Sequence, residues 1–124
     1  RRFGVQPLGI MIYGYSAGQA DVIRRSFDRL FSSTTLVISA SGREEMKVLD
    51  ILEEGPGDRF DEQEDRILVF LGFSREQIGQ ALCDFPSEEG LPRPIFCTLT
   101  EQNVRWPLGR LVEHLKEEHN RRKP

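Results

Sequence analysis

The chain is short of cysteine, histidine, basic surplus and long apolar runs, and each shortage excludes something. Two cysteines in 124 residues cannot make a disulfide framework, so a soluble, reducing, intracellular setting is expected. No run approaches the roughly 20 apolar residues that cross a bilayer, so no membrane insertion is expected. Lys and Arg number 17 against 20 Asp and Glu, for a net charge of −3. A generic nucleic-acid binder usually carries a basic excess, so nucleic acid is expected only as part of a larger complex. There is no C-x-x-C, no Walker pattern and no G-x-G-x-x-G, which leaves redox pairs, zinc and nucleotide cofactors without support, and the cofactor expectation is none. An initiator Met is also missing. The start Arg1-Arg2-Phe3 reads as a processed product or fragment, in the cytoplasm or in an organelle such as the plastid after presequence removal.

What remains is an ordinary folded composition, 38% apolar and 30% charged. The length suits one domain. An internal repeat organises it. Ile10-Met11-Ile12-Tyr13-Gly14-Tyr15-Ser16-Ala17-Gly18-Gln19 is echoed by Leu68-Val69-Phe70-Leu71-Gly72-Phe73-Ser74-Arg75-Glu76-Gln77. Each copy continues with a helix-period run (Ala20, Ile23, Phe27, Leu30; Ile78, Ala81, Leu82, Phe85) and a short β-rich run. A second helical pattern closes each, Met46, Leu49, Leu52 and then Leu108, Leu111, Val112, Leu115. The halves are 8–54 and 66–118, joined by an acidic linker, 55–65, that reads as a solvated loop.

Apolar strands alternating with helices predict a single α/β domain over residues 1–124. The expected form is a small sandwich with helices on both faces of a four-stranded, mainly parallel sheet. Strands are expected at 8–13, 36–40, 67–71 and 95–99. Placing a pseudo-twofold axis along the strands gives the order 2-1-3-4, with the two first helices on opposite faces. Both Gly-aromatic-Ser turns then meet at one switch point, where open α/β sheets bind ligands. A possible anion site there comprises Gly14, Tyr15, Ser16, Gly72, Phe73 and Ser74, using helix N-terminal amides.

Gly14-Tyr15-Ser16-Ala17-Gly18 fits the G-x-S-x-G nucleophile elbow. The second copy lacks the last Gly, however, and what both copies keep is Ser-x-x-Gln, a capping box. Ser41-x-x-Glu44 reads as a third box ahead of the second helix. The only histidines, His114 and His119, lie five apart late in the last helix and read as solvated. Cys83 and Cys97 read as small buried apolar residues.

Leu71-Gly72-Phe73-Ser74, Leu91-Pro92-Arg93-Pro94-Ile95, Leu99-Thr100 and Asn103-Val104-Arg105-Trp106 together resemble the small domain-of-unknown-function (DUF) family 3783, over residues 66–118. The resemblance implies a small α/β unit and no activity. The first half has no Leu-Pro-Arg-Pro and no Trp loop.

Trp106, the one tryptophan, precedes Pro107 and either staples onto the next helix or anchors a partner. With Arg105, Asn103 and Thr100 it forms the candidate partner-binding set at the carboxyl end of the fourth strand. Arg24, Arg25 and Arg29 share a helix face but are diluted by Asp21 and Asp28. The expectation is a non-catalytic protein-interaction or assembly module, an accessory subunit rather than an enzyme. The alternative is a small-molecule or anion (phosphate or nucleotide) binding domain at the Gly-aromatic-Ser turns.

Overall fold

The computed structural model describes residues 8–86 and 90–122. The elements run β1 (Gly9–Tyr13), α1 (Ala17–Phe31), β2 (Leu36–Ser39), α2 (Val48–Glu54), β3 (Ile67–Leu71), α3 (Arg75–Asp84), β4 (Ile95–Thr98), a 3-10 turn (Asn103–Arg105) and α4 (Leu108–Arg122). The strands fall where expected, and their order is β2-β1-β3-β4. Side chains alternate across each strand. Ile10, Ile12, Leu68 and Phe70 pack with α1 and α3 on one face, while Met11, Ile67, Val69 and Cys97 pack with α2 and α4 on the other. Cover on both faces is why β1 and β3 are apolar almost throughout.

The central pairing corrects the expected doubly wound arrangement. β1 pairs with β2 and β3 with β4 in parallel, but β1 and β3 are antiparallel. Met11 pairs with Val69, 58 positions on, the same offset that separates Gly14 from Gly72 and Ser16 from Ser74. The approximate two-fold axis therefore passes between Met11 and Val69, normal to the sheet. Such an axis keeps α1 and α3 on the same face and sends the two Gly turns to opposite ends of the sheet.

The cause lies in α2 and the linker. α2 has only 7 residues, about 10 Å of helix. Gly55 (φ +91°) and Gly57 (φ +68°) then turn the chain back toward β2. Ser39 N donates to Pro56 O (2.8 Å), Asp61 N to Ser41 Oγ (3.1 Å) and Gln63 N to Gly14 O (3.0 Å). The linker thus crosses the carboxyl ends of β2 and β1 and feeds β3 in from that end. Its carboxylates meet solvent, but its backbone is pinned and Phe60 packs on the core.

Two local readings are also corrected. The Ser41 and Glu44 side chains form no capping box on α2: Ser41 is buried under the linker, the Glu44 carboxylate accepts from Tyr13 Oη (2.8 Å) and α2 starts later, at Val48. The stripe of α2 is Val48 and Ile51, while Leu49, one residue round the helix, is 43% exposed.

Candidate functional site

Both Ser-x-x-Gln sequences are complete capping boxes. Gln19 N donates to Ser16 Oγ (3.2 Å) and Ser16 N to Gln19 Oε1 (2.8 Å). Ser74 and Gln77 repeat these bonds at the same lengths. The serine oxygens and two of the free amides at each helix start are therefore committed. At Gly14 the linker stands directly alongside: a Cβ would come within 2.3 Å of Asp65 O. Gln19 Nε2 also donates to Glu62 (3.3 Å), which sets a carboxylate beside the start of α1. Tyr15 is buried, with its hydroxyl on Pro92 O at 2.6 Å. Phe73 belongs to an aromatic cluster with Phe27, Phe31 and Phe70. The six residues of the possible anion site do not converge, because their two groups lie at opposite ends of the sheet.

The partner-binding set does converge. Thr100 N donates to Asn103 Oδ1 (2.8 Å) and Asn103 N to Thr100 Oγ1 (3.0 Å), a further reciprocal box. Asn103 Nδ2 reaches Thr98 O at 3.3 Å and ties the loop to the end of β4. This leads into the 3-10 turn and delivers Trp106, whose carbonyl accepts from Val48 N (2.9 Å). In return, Leu108 N and Gly109 N donate to Met46 O and Glu44 O, so the loops ahead of α2 and α4 cap each other's helices. Before β4, Leu91 and Pro94 are buried, and Pro94 enters the strand where no ladder donor is needed.

Residues 66–121 match the family model for Domain of unknown function (DUF3783). No curated protein and no solved structure matches the chain. The DUF3783 segment covers β3, α3, β4, the 3-10 turn and α4 as far as Arg121, and leaves residues 1–65 outside it.

Within that DUF3783 segment, Thr100, Asn103 and Trp106 line a cleft of about 410 Å³ between β4 and α4, with Cys97, His114 and Glu118. Arg105, Trp106 and Arg110 line a second, of about 540 Å³. The partly buried indole of Trp106 is thus the ridge between two depressions. It is held by the Arg110 guanidinium over its ring (4.8 Å) and by the edge of His114 (5.1 Å). His114 also pairs with Glu118 (Nε2–Oε1, 2.6 Å). Sequence reasoning read both histidines as solvated, and both are exposed, but the contact of His114 with the indole was missed. The signal was available, since His114 lies eight residues after Trp106 and four before Glu118.

Cys97 is buried, and burial with Glu118 nearby pushes its thiol up to about 11, which makes it a poor nucleophile at neutral pH. Cys83, expected to be buried, is exposed. It sits roughly 200° around α3 from the buried Ala81. Arg24 and Arg25 are paired with Asp21, so the arginine face of α1 is largely neutralised. Among the described residues no group of three His, Cys, Asp or Glu could hold a metal, and no helix is long and apolar enough to cross a membrane.

Proposed function

We propose that this domain works by contact with a protein partner, as a non-catalytic accessory or assembly module, and that the contact surface is the Trp106 ridge with the clefts on either side. One observation carries the reading. The indole is partly exposed, packs on the core beneath it, and is flanked by Arg110 and His114. Trp and Arg are among the residue types most enriched at binding hot spots, and a Trp already packed in place, beside an exposed Arg105, has less ordering cost to meet when the partner arrives. The polar groups of Thr100 and Asn103 are used within the loop, so their part is to hold the ridge in place. Two free thiols, one exposed, suit a reducing compartment, which supports a cytoplasmic or plastid setting.

Truncation at the ridge tests this. Trp106→Ala and Arg105→Ala are each expected to weaken the partner complex by about 1–3 kcal/mol while the isolated domain stays folded. Affinity capture from the native extract with wild type and both variants, followed by titration of the captured protein, reads the effect. Retention of the same partner at unchanged affinity by both variants refutes the ridge. Turnover or a tightly bound cofactor in the purified domain refutes the non-catalytic reading.

A further inference from the structure

We infer that a separate cleft, of about 260 Å³, where β3 and β4 begin beside the end of α4, is a phosphate-binding subsite built on Arg66 and Arg93. The inference does not depend on the Trp106 ridge being a contact surface, although the two clefts adjoin and share Ile95 and His119.

Arg66 carries the first argument. Its side chain is only 20% exposed, and its Nε is buried with no acceptor. Its terminal nitrogens make two long bonds, to Glu64 O at 3.4 Å and to Glu62 Oε2 at 3.5 Å. A buried donor left unmade is costly, and a guanidinium with spare N–H groups matches a tetrahedral oxyanion in a way that a lone lysine does not.

Arg93 lines the same cleft and is independently held. Its terminal nitrogen donates to Leu82 O (3.0 Å), and its guanidinium lies over the Phe96 ring at 5.0 Å. Tyr15 fixes the neighbouring backbone through its 2.6 Å bond to Pro92 O. Burial raises the Tyr15 pKa, so the phenol remains a donor, while the positive charges of Arg66 and Arg93 act on it in the opposite sense. Both guanidiniums thus lie within electrostatic reach of the Tyr15 hydroxyl.

A phosphate enters this cleft by exchange rather than into spare charge. Arg66, Arg93 and Lys116 line it with Glu64 and Asp65, and Glu62 reaches Arg66 from beside it, so three cations face three carboxylates until Glu62 is displaced. Asp65 is held by Lys116 at 3.1 Å. Glu62 is only loosely engaged with Arg66, and an incoming phosphate would replace that contact. His119 and Asn120 add polar groups at the rim. The cleft is several times the roughly 30 Å³ share of a water molecule, room enough for a small oxyanion.

The test is a ¹H–¹⁵N NMR titration of the whole chain, with side-chain Nε–H resonances of arginine included. The probe is inorganic phosphate, with sodium chloride and sodium acetate at matched ionic strength as references. The expected result is saturable shifts at Arg66, Arg93 and Asn120 with phosphate alone, at a Kd of roughly 1 mM. Arg93→Ala, at an exposed position, is expected to weaken binding about tenfold or more without loss of fold. Trp106→Ala is expected to leave it unchanged, which separates this subsite from the ridge. Linear shifts in all three salts, equal saturation by acetate, or an Arg93→Ala titration like wild type would each overturn the assignment.

Discussion

Gly14 and Gly55 offer a matched experiment on what the acidic linker does. Their φ angles are nearly equal, +92° and +91°. An alanine at either position takes on the left-handed strain that L residues avoid, about 1–3 kcal/mol. Their surroundings differ. A Cβ on Gly55 meets nothing within 4 Å, whereas on Gly14 it lies 2.3 Å from Asp65 O and 2.9 Å from Arg66 Cγ. The nearest obstacle is backbone, so no rotamer change relieves it, and the linker itself must move. Movement also threatens the Gln63 N to Gly14 O bond, which contributes about 1 kcal/mol.

Gly55→Ala is therefore expected to cost only the conformational strain, and Gly14→Ala roughly 2 kcal/mol beyond that. Urea unfolding followed by far-UV circular dichroism measures both. At a slope near 2 kcal/mol/M, the extra loss lowers the Gly14→Ala midpoint by about 1 M relative to Gly55→Ala. Equal midpoints for the two variants would refute the claim that the linker is packed against the end of β1.

Further outcomes follow from the same geometry. Ser16→Ala and Ser74→Ala are each expected to cost about 1 kcal/mol by denaturant titration, because each removes one half of a reciprocal box. Titration with a thiol-specific disulfide reagent is expected to label Cys83 quickly and Cys97 only on unfolding; two fast thiols would contradict the burial of Cys97. Tyr13 has its pKa pushed up to about 12 by burial and by Glu44. A folded value above the ordinary 10 means the native state holds the proton more tightly, so this contribution is full below pH 10 and lost between pH 10 and 12. Tyr13→Phe should flatten that part of the alkaline stability profile, and an unchanged profile would count against the Tyr13–Glu44 contact.

Much of the fold was legible because two copies of one pattern constrain each other. The recurrence of Gly, aromatic, Ser and Gln placed four strands, four helices and the strand order. The direction of β3 was not legible. A strand covered on both faces reads as the same apolar run whichever way it enters the sheet, and Ile67–Leu71 contains nothing that specifies direction. Direction was decided by a seven-residue α2 and by two glycines that return the chain to Ser39. The Ser41 box failed for a related reason. Its local pattern was sound, but Asp61 and Tyr13, 20 and 31 positions away from their partners, claimed the hydroxyl and the carboxylate.

The candidate site shows the same division between local and long-range information. Thr100, Asn103, Arg105 and Trp106 were recognisable as a group because polar and aromatic residues cluster before a helix. What each contributes depends on where its hydrogen bonds end. Thr100 and Asn103 direct theirs at one another and at Thr98, so they shape the loop. Trp106 uses only its backbone, accepting from Val48, and its ring rests on Arg110 and His114 of the following helix. The side chain most able to take up binding energy is thus held by main-chain bonds and one helix face. Arg66 and Arg93 show what no local pattern could: they are 27 positions apart, only Arg93 lies in a recognisable segment, Leu-Pro-Arg-Pro, and parallel pairing of β3 with β4 sets the start of one strand beside the start of the other. A cleft assembled by register is visible only once the register is known.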